Sequence, residues 1–125
     1  MLRDAPSFNG FSTNDLRASE SFYADVLGLE TESTPQGLKL VLADGHHTFV
    51  YQKTDHVPAT YTILNFWVED IDKAVASLAE SGVKFLEYDN LTDDVGIARG
   101  LAHHMGPDIA WFTDPAGNIL SVLHD

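Results

Sequence analysis

The chain has 125 residues and carries 19 acidic against 7 basic side chains, a net charge of −12, which repels phosphate backbones and argues against nucleic-acid binding. It contains no cysteine, which excludes disulfides, thiolate metal sites and cysteine nucleophiles and fits a reducing compartment. Its hydrophobic fraction of 44% and charged fraction of 21% are those of an ordinary folded domain with its own core. Met1 to Pro6 has no apolar leader core, and no run approaches a bilayer span, so the expectation is a single cytoplasmic domain over residues 1–125 with no membrane partner.

In chain order, Ser7 to Ser12 reads as a short strand, with Phe8 and Phe11 on opposite faces. Thr13 or Asn14 is the expected cap of the helix that follows, and Asp15 sits at the positive end of its dipole. Leu16, Ser19, Phe22, Tyr23, Val26 and Leu27 make one stripe at helical spacing, which Gly28 ends. Leu38 to Leu42 is a strand, Asp44-Gly45 a turn, and His47 to Gln52 the hairpin partner. A polar connector at 53–60 leads to a strand at Tyr61 to Val68 and a helix at Asp70 to Ser81. Val83 to Leu86 reads as a further strand, followed by an acidic loop with a cluster from Glu87 to Asp94. Ile109 to Phe112, a turn at Asp114 to Gly117, and a strand at Ile119 to Leu123 complete the order, with weaker strands near 31–35 and 95–100.

The two halves repeat one another. Phe11 to Leu16 opens one amphipathic segment and Phe66 to Ile71 opens another, 55 residues later. Each half reads as a βαβββ module, the first over residues 7–53 and the second over 61–125, which makes the fold class α+β with a helix on one face of each sheet.

With the paired openers, the phrase Phe22-Tyr23-Ala24-Asp25-Val26-Leu27-Gly28-Leu29 and the turn Trp111-Phe112-Thr113-Asp114-Pro115-Ala116-Gly117-Asn118, the chain resembles the vicinal oxygen chelate superfamily. This is the glyoxalase, bleomycin-resistance and extradiol-dioxygenase group. The resemblance implies that each module curls into a half-cup and that two half-cups make a cleft. In many members they come from the two chains of a homodimer, the expected partner here, and whether they pair within or between chains stays open. It also implies a divalent metal, with a histidine from the first strand of each module and a carboxylate from the last. Carried onto this sequence, those positions fall on Phe8, seven residues before Asp15, on Ile63, seven before Asp70, on Ser121, and on Phe49 or Tyr51. Phenylalanine and isoleucine have no donor atom and serine is a poor one, so no metal and no other cofactor is expected.

Six histidines could build a different site. In the doublets His46-His47 and His103-His104, adjacent side chains of an extended strand point to opposite faces, so each doublet offers one inward ligand at most. Both lie beside turn residues and read as solvated, as do His56 and His124; His47, His103 and His104 remain the ligands of the alternative, a metal-dependent lyase, isomerase or dioxygenase.

Strand parity gives the expected lining of the cleft: Phe8 and Ser12 from the first strand, Phe49 and Tyr51 from the hairpin, Ile63, Asn65 and Trp67 from the second module, and Ser121 from the last strand. Arg99 is a candidate anchor for an anionic ligand. Such a lining, aromatic and apolar with a few hydrogen-bonding groups, suits a small aromatic or amphipathic molecule. Whether the chain is an enzyme stays open, and a third reading is a non-catalytic module whose cup is filled by its own side chains.

Overall fold

Two aspartates at equivalent points of the repeat start the two main helices. Asp15 Oδ1 accepts from the Ala18 amide and Asp70 Oδ1 from the Lys73 amide, each at 3.1 Å. The first of these corrects the expected cap. Thr13 is buried instead, its hydroxyl accepting from the Asp15 amide at 3.2 Å and from Ser19 Oγ at 2.8 Å, while Asn14 stays exposed.

The structure is a computed structural model that describes residues 1–125, in two units, Met1–Val57 and Pro58–Asp125. Unit 1 contains β1 (Asn9–Thr13), α1 (Leu16–Ser21), β2 (Glu30–Thr34), β3 (Gly37–Val41) and β4 (His47–Gln52). Unit 2 contains β5 (Thr62–Trp67), α2 (Ile71–Glu80), β6 (Ile97–Arg99), β7 (Asp108–Thr113) and β8 (Ile119–His124). The sheets have equivalent orders, β1-β4-β3-β2 and β5-β8-β7-β6, with one parallel pair each, β1–β4 and β5–β8. The fold is α+β, built from two βαβββ-like modules, each a four-stranded mixed sheet.

In unit 1 the helix changes pitch partway. Phe22–Val26 forms a π turn, closed by the Leu27 amide on the Phe22 carbonyl at 2.9 Å, and Gly28 then ends the segment at φ 73°. The π turn places Tyr23 fully in the core, tilted against Phe11 with ring centroids 5.9 Å apart. Leu38, Leu40 and Val50 complete that core.

In unit 2, Val83–Leu86 is not a strand of the sheet. β8 occupies one edge of β7 and two segments share the other. Ile97–Arg99 pairs with Asp108–Ala110, and further along, Phe85 makes a single bridge to Phe112 while the Leu86 amide donates to the Trp111 carbonyl at 2.8 Å. The weakly marked segment near 95–100 thus supplies the regular strand. Ile97, Ala110, Phe112, Leu120 and Val122 form the core with Ile71 and Val75 of α2. No helix is long and apolar enough to cross a membrane.

Candidate functional site

Each sheet has one face under its helix and one face away from it. In unit 1 the register pairs Gly10 with Phe49 and Ser12 with Tyr51, so these four lie on the face opposite Phe11 and Val50. Phe8 precedes the strand, which begins at Asn9 rather than Ser7. Its ring is 63% exposed and stacks on the His47 imidazole at 5.1 Å. Ser12 Oγ and His56 Nδ1 are hydrogen-bonded at 2.6 Å, which ties the connector back to β1. His56 and His124 are therefore not the free surface groups expected. Both are half-buried, and His124 Nδ1 bonds the Val68 carbonyl oxygen at 3.0 Å.

In unit 2 the parallel pairing sets Asn65 beside Ser121 and Trp67 beside Leu123. Ser121 is fully buried and its hydroxyl donates to Asn65 Oδ1 at 2.5 Å. Trp67 is 77% exposed. Ile63 falls where the register shifts between Thr62 and Leu64, the extra residue of a bulge, and is half-buried.

Unit 2 holds a cavity of about 680 Å³. Trp111, Ile109, Leu91, Pro107 and Met105 give it apolar walls, with Thr92 and His103 among the polar groups. Trp111, half-buried, stands edge-on to Tyr88 with ring centroids 5.6 Å apart at 88°. Of the residues expected at the site only Arg99 borders this cavity. The sequence reading missed Trp111 and Ile109, although a signal was present. The turn at 114–118 pairs Thr113 with Ile119, so Trp111 lies across from Ser121 and shares its face.

Arg99 is committed to carboxylates. Its Nη1 and Nη2 donate to Asp72 of α2 at 3.1 and 2.6 Å, and its Nε donates to Asp93 at 3.1 Å. The free guanidinium expected at the mouth of a cleft is thereby corrected to a clamp joining α2, β6 and the loop before it. Asp93 is itself a hub, its other oxygen accepting from the Val95 and Ile97 amides at 3.0 and 2.9 Å. The hydrogen bond from Arg99 holds the Asp72 carboxyl below its usual range. For Asp93, burial acts to raise the value, but the Ile97 and Val95 amides and Arg99 outweigh it and the net shift is downward. The Asp72 bond raises the Arg99 pKa against a smaller effect of burial, with Asp93 adding to the rise.

The residues do not fit the divalent metal that the family resemblance implies. Phe8, Ile63 and Phe49 carry no donor atom, Tyr51, the alternative to Phe49, offers a lone phenol, and the Ser121 hydroxyl is spent on Asn65. No three His, Asp or Glu side chains gather into a group that could hold an ion. His46, His103 and His104 are exposed, and His47 is stacked on Phe8.

The sequence profile of the Glyoxalase/Bleomycin resistance protein/Dioxygenase superfamily matches residues 9–122. Among solved structures, a glyoxalase family protein from Enterococcus faecalis is 20% identical, with a TM-score of 0.70 over 98% of this chain and 99% of that one. A glyoxalase/dioxygenase from Nostoc punctiforme is 16% identical, with a TM-score of 0.68 over 99% of this chain and 93% of its own. An integron cassette protein from the mobile metagenome of V. cholerae is 19% identical, with a TM-score of 0.66 over 99% and 98%. At these identities the likeness is one of fold. No curated protein matches the chain.

Proposed function

The chain belongs to the glyoxalase/bleomycin resistance protein/dioxygenase superfamily, and from that premise we propose that it binds a small aromatic or amphipathic molecule without the family's metal. The observation that carries this reading is the cavity of about 680 Å³ in unit 2, walled by Trp111, Ile109, Leu91 and Met105. Apolar walls of that size supply affinity by removing ligand surface from water, and sparse polar groups fix orientation. Thr92 and His103 border the cavity and can do the latter. Asn65, held by Ser121, offers a further amide on the same sheet face.

The chemistry of Phe8, Ile63, Phe49 or Tyr51, and Ser121, which together offer no histidine and no carboxylate, supports binding over metal-assisted chemistry. The working unit in this reading is a homodimer, as the resemblance implies for many members, placed in the cytoplasm on the composition of the chain.

A thermal-shift screen of small aromatic and amphipathic compounds tests the proposal, because a ligand that binds only the folded state raises the melting temperature, and by more as its concentration exceeds its dissociation constant. Concentration-dependent stabilisation, lost in Trp111→Ala, is the expected result. A screen with no stabilising compound points instead to a module that binds nothing, and activity restored by an added divalent ion points to the enzyme reading.

A further inference from the structure

We infer that the molecule bound in unit 2 is a cationic amphiphile whose quaternary or alkylated ammonium head sits among Tyr61, Tyr88 and Trp111. The inference rests on the binding reading above and adds the charge and shape of the ligand. Beside the large cavity lies a second hollow of about 220 Å³, to which these three rings contribute. The two hollows share Leu91 and Trp111, so one molecule can lie across both. Tyr88 and Trp111 meet edge to face at 88°, so the two rings stand at a right angle beside the hollow rather than stacked. Tyr61 is 71% exposed and Tyr88 41%, so an incoming group can reach both side chains from solvent.

Aromatic faces carry negative quadrupole potential and attract a cation without needing a counter-charge, and alkylated ammonium groups suit such boxes because they are weakly hydrated. No Lys or Arg borders the smaller hollow. The one Arg on the larger cavity, Arg99, is neutralised by Asp72 and Asp93. The wider field has the same sign, since unit 2 carries eleven acidic and three basic residues. A cation is therefore drawn toward this region, and an anion finds no unpaired lysine or arginine there. The apolar walls at Ile109, Leu91 and Met105 then take the ligand's body.

The test compares three probes by calorimetry: 4-hydroxyphenyltrimethylammonium, its neutral isostere 4-tert-butylphenol, and the anion 4-hydroxybenzoate. The cation is expected to bind about tenfold tighter than the isostere, with the anion weakest. Tyr61→Leu should erase that preference, and Tyr61→Phe, which keeps the ring face, should retain it. Tyr61 is exposed, so neither change threatens folding. Equal binding of cation and isostere, or a preference for the anion, overturns the inference while leaving the binding reading in place. Failure of all three probes to bind also overturns it, and the broad thermal screen then decides the binding reading separately.

Discussion

Ser121 Oγ donates to Asn65 Oδ1 at 2.5 Å across the parallel pair β5–β8. On its other side Ser121 is paired with Trp111 of β7, so an amide, a hydroxyl and an indole stand in one row across three strands. The row occupies the place where the family resemblance puts a metal-binding carboxylate. Here the side chain at that place is buried and hydrogen-bonded to a neighbour, and the row holds an amide beside an aromatic wall.

Removing the hydroxyl should therefore cost little and free the amide. Ser121→Ala deletes one hydrogen bond, and exposed Asn65 can turn to water, so the expected loss is about 1 kcal/mol. Denaturant unfolding measures it. A loss above about 3 kcal/mol would mean that the row holds the sheet together rather than presenting Asn65.

The two carboxylates on Arg99 should differ in worth. Asp72 is exposed, so its pair with Arg99 should add little to stability, as surface ion pairs do. Asp93 also satisfies two backbone amides, so Asp93→Ala should destabilise by about 1–3 kcal/mol and loosen the cavity wall at 90–93. Unfolding of the two variants, measured side by side, ranks them.

The same clamp sets an acid limit. Asp72 and Asp93 both have folded-state pKa values lowered from 3.8. Their contribution is complete above that value and is lost as pH falls through the lowered ones. Stability should thus be insensitive to this network from neutral pH down to about pH 4 and fall below it. In Asp93→Asn that portion of the acid slope should be smaller, as thermal unfolding across pH would record.

Gly100 governs the far wall of the cavity. A Cβ there would lie 2.7 Å from the Gly106 carbonyl oxygen and still closer to that of Pro107. Gly100→Ala should displace the 101–106 segment that carries His103 and Met105, at a cost of about 1–3 kcal/mol. Ligand stabilisation should fall with it, while Gly106→Ala, where no atom crowds the added carbon but φ is 91°, should act on stability through backbone strain.

Patterns of period and turn chemistry carried the fold. The 55-residue repeat, the helix ends at Gly28 and Gly82, and the hairpin turns are local signals, and each corresponds to an observed element. What failed depended on partners distant in sequence. Val83–Leu86 is as apolar as a strand, but Ile97–Arg99 takes part of the same edge of β7 and leaves it a single bridge. Arg99 looked free because its partner Asp72 is 27 residues away on a helix. The cap fell to Asp15 because Thr13 turns inward to Ser19.

The site was legible as faces rather than as a cavity. Parity put Ser12, Phe49 and Tyr51 on one face and Asn65 and Ser121 on one face, as the registers do. It could not reveal the hollow under Leu91 and Met105, which come from irregular segments without a period to read.

Native mass spectrometry of untagged protein mixed with equimolar zinc, manganese, nickel and iron decides whether the chain binds its ligand without a metal. The expected masses are free of metal, with a one-to-one adduct when a stabilising aromatic ligand is added. One divalent ion retained per chain would contradict metal-free binding.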